Sequence, residues 1–369
     1  MRKRVRVLVV DDSALMRKLI PQLLQGNPSI EVVGTAMDGL LGLKKIGELH
    51  PDVITLDLEM PRMDGLEMLR EIVRRHRIPV IVVSSHTEKG AYSALNALAL
   101  GAFDFVAKPS EATPGGFEQI ARELSVKIKV AAISGPPKQT FPLHPLPHPA
   151  SKSTHTESQP SRVIALGVST GGPTALEFIC SQLSAEFAGC LLVVQHMPEG
   201  FTGMFARRLD GCSAATVTEA RAGDLLAPGR VIICPGNLHL KVRRVPQGIM
   251  TVLVDQAPVN GHRPSVDVLF HSVASVFGKE SAAVIMTGMG EDGAAGMGAV
   301  QEAGGITIAQ SLETCVVDSM PRAAIEAGYA GRVVPLEALP NILQTLCQAD
   351  RARTRVNATD LETPQGTRR

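Results

Sequence analysis

Short apolar runs alternate with amphipathic stretches along residues 5–107. The runs predict strands at Val5–Val10, Ile30–Ala36, Val53–Leu56, Val80–Val83 and Phe103–Ala107. The stretches between them predict helices at Ser13–Gln25, Gly39–Leu49, Gly65–Arg75 and Ala91–Leu100. Because the strands are continuous runs rich in Val, Ile and Leu, we expect a parallel sheet covered by helices on both faces.

The same alternation resumes after residue 162. It predicts strands at Val163–Leu166, Leu191–Gln195, Val231–Cys234, Leu238–Val242, Met250–Val254, Ala283–Thr287 and Gly305–Ala309. The clearest helical patterns are Ala175–Leu183, Phe201–Leu209, Val266–Phe277 and Gly293–Ala303. We therefore expect a second doubly wound, mostly parallel α/β sheet, with an antiparallel excursion near residues 238–254.

A Pro-rich, polar segment separates the two patterned regions. It cannot bury enough apolar surface to offset its ordering entropy, so we interpret it as a linker. Its histidines, His144, His148 and His155, are more typical of a solvated tether than of a metal site. We predict a first domain over 1–125, a linker over 126–161, a second domain over 162–349 and a polar tail over 350–369.

Composition excludes several classes of function. The 369 residues carry a net charge of +1, with 3% aromatic residues and no Trp, which disfavours a nucleic-acid-binding surface. No apolar run is long enough for a membrane helix. The apolar run near the start is too short and is followed by acids, so we expect a cytoplasmic protein. The six cysteines lack CxxC spacing and predict buried thiols.

Polar side chains gather where the first five strands end. Asp11 and Asp12 follow the first strand, Asp57 follows the third, and Ser84 and Lys108 follow the fourth and fifth. Ligand sites in open α/β sheets form at this edge. Three converging carboxylates would repel one another unless a hard cation such as Mg²⁺ bound between them. Asp57 could then accept a phosphoryl group. Lys108 would neutralise the phosphoryl oxygens and Ser84 would donate a hydrogen bond to one of them.

The motifs VLVVDDS, DLEMPRMDG, VVSSH and FVAKP resemble those of response-regulator receiver domains. This resemblance implies a flavodoxin-like fold for the first domain and phosphorylation of Asp57 by a partner histidine kinase. It also implies an Mg²⁺ site supported by Asp11, Asp12, Asp57 and the backbone carbonyl of Glu59.

A Gly-rich turn opens the second domain. Residues 167–171 satisfy G-x-S-x-G between a strand and a helix, which favours Ser169 as a nucleophile; the alternative is an ordinary turn in which Ser169 caps the helix. His196 directly follows an apolar strand and is the candidate base. A third strand end offers Glu291 and Asp292 as the orienting acid, and with Asp292 three strand ends supply the set.

Other classes of function fit parts of this pattern. The chain order Ser–His–Asp disfavours a conventional α/β-hydrolase esterase. Residues 288–293 also read G-x-G-x-x-G, with Glu313 about 20 residues on, as in dinucleotide sites. Against that, Glu291 and Asp292 would stand where a pyrophosphate docks. A receiver-controlled transcription regulator would need a helix-turn-helix and a basic face, which the pattern lacks.

The motifs GVSTGGP, VVQHMP, HRPSVDVLF and MTGMGEDGAAGM resemble the catalytic domain of chemotaxis protein-glutamate methylesterases. The resemblance implies that Ser169 attacks the methyl ester of a receptor glutamate, with His196 as base and Asp292 fixing its tautomer. The N–H of Met289 would contribute to an oxyanion hole, and Thr170 would line the site. It also implies deamidation of receptor glutamines and no cofactor in this domain.

The combination predicts a phosphorylation-regulated hydrolase. Its expected partners are methyl-accepting chemoreceptors as protein substrate and a histidine kinase as phosphodonor. Contact with the membrane would be peripheral, through membrane-bound receptors only, and no nucleic acid is expected. We hypothesise that the unphosphorylated first domain blocks the catalytic mouth and that phosphorylation of Asp57 opens it.

Overall fold

A computed structural model describes residues 4–85, 87–108, 116–137, 152 and 159–348. The chain divides into two compact units, residues 1–144 and 145–369. The tail predicted over 350–369 and the linker histidines lie outside the described residues. Among the described helices, none combines the length and the apolar character that crossing a bilayer requires.

The first unit is a five-stranded sheet with helices. Its strands are β1 (Val5–Val10), β2 (Ile30–Ala36), β3 (Val53–Leu56), β4 (Val80–Ser84) and β5 (Asp104–Ala107). Its helices are α1 (Ala14–Gln25), α2 (Gly39–Leu49), α3 (Gly65–Glu71), α4 (Glu88–Leu100) and α5 (Gly116–Ser134). The strands pair in parallel in the order β2-β1-β3-β4-β5, the flavodoxin-like order. The predicted fold class is confirmed.

Four helices of this unit begin at polar side chains that accept a hydrogen bond from an otherwise free backbone amide. These caps are Ser13, Asp38, Asp64 and Thr87. Each cap marks where a helix begins after the strand that precedes it. Because the five strands are parallel, the polar residues that follow their carboxyl ends lie on one edge of the sheet.

Three helices differ from the sequence prediction, and one of them, α4, begins one turn earlier, at Glu88 rather than Ala91. Helix α5 was not predicted, and it continues past residue 125 because Leu124, Ile128 and Ala131 are buried at helical spacing. Helix α3 ends at Glu71 rather than Arg75, and Ile72–His76 forms a wider π-type turn. The predicted domain boundary at 125 thus falls inside a helix.

The second unit contains a seven-stranded sheet and a hairpin. Its strands are β6 (Val163–Val168), β7 (Cys190–Gln195), β8 (Thr216–Glu219), β9 (Arg230–Ile233), β10 (His239–Val245), β11 (Gly248–Val254), β12 (Ala282–Ile285), β13 (Ile306–Gln310) and β14 (Arg332–Val334). Its helices are α6 (Gly172–Gln182), α7 (Thr202–Cys212), α8 (Val266–Phe277), α9 (Ala294–Glu302) and α10 (Ser319–Glu326), and residues 339–348 are also helical. The antiparallel pair β10-β11 confirms the predicted excursion.

Strands β8 and β14, helix α10 and the helix over residues 339–348 were not predicted. Both strands lie at the edges of the sheet, where side chains need not be continuously apolar, so the sequence lacks the run that marks a central strand. The short helix α10 buries only Met320, Pro321 and Ala324.

The sheet order β14-β13-β12-β6-β7-β9-β8 places β6 at a topological switch point. From β6 the chain moves to β7, β9 and β8 on one side, and it later returns to β12, β13 and β14 on the other. In open α/β sheets the crevice at such a point is the usual ligand site. The turns after β6, β7 and β12 border it.

Candidate functional sites

Three carboxylates cluster at the carboxyl edge of the first sheet. Asp11 and Asp12 follow β1, Asp57 follows β3, and one oxygen of each lies within 4.8 Å of the others. Asp11 and Asp57 are 1% and 3% exposed, whereas Asp12 is exposed. A Cβ on Gly65 would lie 2.2 Å from the Asp57 carbonyl oxygen, so only glycine lets α3 start this close to Asp57.

Lys108 brings a positive charge to the cluster. Its Nζ lies 2.6 Å from Asp57 Oδ2 and 3.3 Å from Asp11 Oδ2. Burial alone would lower the pKa of Lys108, but the hydrogen bond and charge of Asp57, with Asp11, raise it overall. Lys108 is therefore a permanent cation at the site.

The carboxylates are nevertheless not fully compensated. Burial raises the pKa of Asp11 and of Asp57 although Lys108 opposes the change. Within the described residues, Asp11 Oδ2 is buried and has no hydrogen-bond partner closer than the Lys108 ammonium. Oxygen ligands with surplus negative charge are what Mg²⁺ prefers, so the residues fit the ion that a receiver domain commonly takes.

Two further residues predicted for this pocket have other contacts. Ser84 is buried, and its hydroxyl donates to the Gly90 carbonyl oxygen over 2.8 Å. The Glu59 amide donates to Asp57 Oδ1 over 3.3 Å. Ser84 is thus at the expected strand end, but its hydroxyl must turn before it can reach a phosphoryl oxygen.

Ser169 and His196 lie side by side at the switch point of the second sheet. Strands β6 and β7 pair with Val168 opposite Gln195, so the two residues directly follow opposite positions. The His196 amide donates to the Val168 carbonyl oxygen (3.1 Å), and the Ser169 amide donates to the Thr287 carbonyl oxygen (3.0 Å). Ser169 is therefore fixed between the ends of β7 and β12.

Gln195 ties these two strand ends together, a role that the sequence pattern did not suggest. Its buried amide donates to the carbonyl oxygens of Ser169 (3.0 Å) and His196 (3.1 Å). On the other side, a Cβ on Gly288 would come within 2.8 Å of the Ser169 Cβ. The nucleophile candidate is thus held closely from both flanking strands.

His196 Nε2 and Asp292 Oδ2 are 2.8 Å apart. Asp292 is 1% exposed and accepts further hydrogen bonds from the groups of the 260–267 segment, namely Asn260 Nδ2, Ser265 Oγ and the amides of Val266 and Asp267. Burial would raise its pKa, but the bonds from His196, Val266 and Ser265 outweigh that effect and lower it to about 2. Asp292 is therefore an anion at every physiological pH.

The charge of Asp292 fixes the proton of the imidazole. A carboxylate only accepts hydrogen bonds, so His196 must donate through Nε2, and in the neutral ring Nδ1 carries the lone pair. Among the described residues, His196 Nδ1 is buried without a hydrogen-bond partner. Nδ1 is thus the atom available to take a proton.

The other residues of the predicted site have distinct surroundings. Of the two acids offered by the turn after β12, Glu291 is exposed and borders a cavity of about 480 Å³. Half-buried Met289 lies between Gly288, whose amide donates to Val317, and Gly290, whose amide donates to Ser319 Oγ. The Met289 amide takes part in neither bond.

Thr170 is buried beside Ser169, and its carbonyl oxygen accepts a hydrogen bond from Thr287 Oγ1 (2.9 Å). The ionised Asp292 at the helix start also repels a pyrophosphate. The geometry therefore disfavours the dinucleotide alternative.

Besides Gln195 and the donors to Asp292 at residues 265–267, sequence reasoning missed two residues of the 259–262 turn that contact the pair. The His262 ring stacks on His196, with centroids 3.9 Å apart and planes 4° from parallel. Asn260 donates to Asp292. The Asn-Gly dipeptide at 260–261 is a strong turn signal and was the clue available in the sequence.

Two family models match this chain. The CheB methylesterase model matches residues 164–343, and the response regulator receiver domain model matches residues 7–114. Both matches agree with the two units of the fold. Nothing in them supports the alternative of a nucleotide-binding or transcriptional output domain.

Crystal structures of single domains are also similar. The catalytic domain of Thermotoga maritima CheB methylesterase has 41% sequence identity and a TM-score of 0.49, covering 50% of this chain and 98% of that chain. The response regulator domain of Thermotoga maritima CheB has 46% identity and a TM-score of 0.33, covering 36% of this chain and 98% of that chain.

Relatives match nearly the whole chain. A protein of Koribacter versatilis named protein-glutamate methylesterase/protein-glutamine glutaminase 2 is 57% identical over 94% of this chain and 97% of its own length. Proteins named protein-glutamate methylesterase/protein-glutamine glutaminase from Symbiobacterium thermophilum and Geobacillus kaustophilus are 46% and 45% identical, over 92% and 91% of this chain and 96% and 97% of their own lengths. The chain therefore belongs to the protein-glutamate methylesterase/protein-glutamine glutaminase family.

Proposed function

We propose that this protein hydrolyses methyl esters of glutamate side chains on chemoreceptors and deamidates receptor glutamines, under the control of phosphorylation at Asp57. The observation that carries the proposal is the His196–Asp292 pair, 2.8 Å apart beside Ser169 at the switch point of the sheet. The family of the chain supplies the substrate class.

Acylation begins at Ser169. Its Oγ attacks the ester carbonyl carbon while its proton passes to His196 Nδ1, and Asp292 stabilises the imidazolium through the Nε2–H bond. The Met289 amide donates to the developing oxyanion, and Thr170 lines the site. When the carbonyl re-forms, the C–O bond to methanol breaks and methanol takes the proton from His196.

Deacylation repeats the sequence with water. His196 Nδ1 takes a proton from the water that attacks the acyl-serine, and it returns this proton to Ser169 Oγ as the bond breaks. The products are a receptor glutamate and the free enzyme. With glutamine the same steps release ammonia in place of methanol.

In the first unit, Asp57 would accept a phosphoryl group from a histidine kinase. Mg²⁺ would be held by Asp11, Asp12, Asp57 and the carbonyl of Glu59, and when bound it would neutralise phosphoryl oxygens. The Lys108 ammonium pairs with the Asp57 carboxylate at 2.6 Å and would pair with the phosphoryl group instead. Ser84 would exchange its bond to Gly90 for one to a phosphoryl oxygen.

We infer that the unphosphorylated first domain restrains the second, which would explain why a phosphoacceptor and a hydrolase share one chain. The experiment is methanol release from methylated chemoreceptors in membranes, with and without a small-molecule phosphodonor. We expect release in both cases and faster release with the phosphodonor. No release at all would overturn the esterase assignment.

An Asp57→Asn variant is the matched control for the regulatory part. It should release methanol at the basal rate whether or not the phosphodonor is present. Equal stimulation of this variant and the natural chain would contradict control through Asp57 and would leave the esterase intact.

A further inference from the structure

The base of the proposed reaction is held by few hydrogen bonds. Within the described residues, His196 makes one side-chain hydrogen bond, from Nε2 to Asp292, and Nδ1 has none. One bond fixes one end of an imidazole, but it leaves the ring free to tilt about that end. Aiming Nδ1 at the nucleophile therefore requires a second restraint on the ring.

The His262 ring supplies a contact of the right kind. Its plane is 4° from that of His196 and the centroids are 3.9 Å apart, closer than the 4.5–7 Å usual for aromatic pairs. A parallel ring at this distance blocks tilting of His196 toward it. Such a contact restrains orientation without occupying either nitrogen.

Asn260 supplies the corresponding restraint on the acid. Its amide nitrogen lies 2.6 Å from Asp267 Oδ2 and 3.2 Å from Asp292 Oδ1. Both carboxylates are buried, and they would repel each other without donors between them. Asn260 therefore holds Asp292 through Oδ1, the carboxylate oxygen that does not bind His196.

The two residues belong to one tight turn. Val259 and His262 exchange both backbone hydrogen bonds, at 3.0 and 2.9 Å, and the central residues Asn260 and Gly261 have φ of +52° and +78°. Positive φ at both central positions is the type I′ turn, which Asn-Gly favours. Its rigidity couples the placement of Asn260 to that of His262.

We propose that this turn, residues 259–262, is a positioning element for the hydrolytic reaction: Asn260 fixes the carboxylate of Asp292, and the His262 ring fixes the imidazole of His196. The inference rests on the proposed function, because it assigns the turn to the same Ser169–His196–Asp292 site. Neither residue takes a proton or touches the acyl group in this role.

The decisive comparison is His262→Ala against His262→Phe in the full chain, with methanol release from methylated chemoreceptor membranes. A small misplacement of a catalytic group lowers rates by up to about 100-fold. We expect His262→Ala to lower kcat by about 10- to 100-fold with KM changed by less than about twofold. His262→Phe keeps a flat ring and should restore kcat to within about threefold.

Two results would overturn the stacking role. One is an unchanged kcat in His262→Ala. The other is a His262→Phe variant as slow as His262→Ala, because then a nitrogen of His262, and not its ring face, would be what the reaction needs.

Asn260→Gly tests the other half of the turn. Glycine adopts the same positive φ, so the turn is kept while the amide that donates to Asp292 is removed. We expect kcat to fall by about 10-fold or more with little change in KM. An unchanged kcat would show that Asp292 needs no restraint from Asn260 and would overturn that part.

Controls separate this proposal from the one on which it rests. If the natural chain releases methanol and Ser169→Ala does not, the proposed function stands whatever the turn variants do. His271→Ala, on the exposed face of α8, should match the natural chain. The downfield Nε2–H proton signal of His196 should persist in His262→Phe and exchange faster in His262→Ala; equal exchange in both would again contradict the stack.

Discussion

The two units place acidic residues at the carboxyl edges of similar parallel sheets, yet they leave them in opposite electrostatic states. Asp57 and Asp11 are buried with too few donors, and burial raises their pKa values. Asp292 is equally buried, but its pKa is lowered to about 2 because several donors converge on it. The hydrogen bonds on Asp292, with the electrostatic interaction of His196, outweigh its burial, whereas the contacts of Asp57 and Asp11 do not outweigh theirs.

This difference fits the two proposed chemistries. In a phosphoacceptor site, carboxylate oxygens without enough donors favour binding of a metal ion, and the metal ion then favours the phosphoryl group. A triad acid gains from complete satisfaction, since its charge and direction must not change during turnover. Substitutions at Ser169 and Asp292 test the second site, and Mg²⁺ binding tests the first.

The largest effect is expected from Ser169→Ala. Loss of the nucleophile should lower kcat for methanol release by about 10⁶-fold, as in other serine hydrolases. Phosphorylation of Asp57 should be unchanged, because Asp57 belongs to the other compact unit and Ser169 is not part of its pocket. Ser181→Ala, on α6, is the matched control and should keep full activity; methanol release from Ser169→Ala at the natural rate would remove Ser169 from its role.

The second largest effect is expected from Asp292→Asn, which should lower kcat by about 10⁴-fold. The variant keeps the shape of the side chain, but an amide can donate to His196 and so favour the wrong tautomer. The same assay measures it, with Glu291→Gln as the control because Glu291 is exposed at the same turn. Equal losses in the two variants would contradict the assignment of Asp292 as the acid.

Mg²⁺ should act on the first unit alone. At pH 7 a concentration 100 times the Kd should stabilise that unit by about 2.7 kcal/mol, seen as a rise in its melting temperature by calorimetry. Asp11→Asn should weaken the response because it removes a buried ligand oxygen. A matched Na⁺ solution is the control, and an equal Mg²⁺ response of the second unit would contradict a site at these carboxylates.

The sequence predicted most of the fold because central strands are recognisable as runs of Val, Ile and Leu. It missed β8 and β14, where edge positions relax that requirement, and α5, which adjoins a Pro-rich segment. Strand ends also predicted which acids, serine and histidine share an edge.

What the sequence left open were contacts between segments distant along the chain. His262 and Asn260 reach His196 and Asp292 only because the turn after the β10-β11 hairpin folds over the switch point. Glu291 and Asp292 are adjacent and chemically alike, and only the fold gives one of them to His196. Packing between elements, which has no local pattern, decides such pairings.

The smallest effect concerns pH: the contributions of Asp292 and Asp57 to stability change with pH in opposite directions. Asp292 is a stronger acid folded than unfolded, so its contribution to the stability of the second unit is present above about pH 4 and is lost as pH falls through about 2. The difference from the ordinary value of 3.8 corresponds to about 2 kcal/mol. For Asp57 the folded pKa is raised, so its contribution is present below 3.8 and is lost as pH rises through the folded value.

Urea unfolding at pH 5 and near pH 2 tests these signs by comparing each variant with the natural chain. The stability advantage of the natural second unit over Asp292→Asn should shrink by about 2 kcal/mol as pH falls. Protonation of Asp292 removes the carboxylate charge, which the amide of the variant never had. In the first unit, the free energy of unfolding of Asp57→Asn should rise relative to that of the natural chain as pH rises. The reason is that the amide, unlike Asp57, does not become a buried charge by losing a proton. Slopes of the same sign for Asp292→Asn and Asp57→Asn would mean that the donors around Asp292 do not outweigh its burial, and the contrast between the two sites would fail.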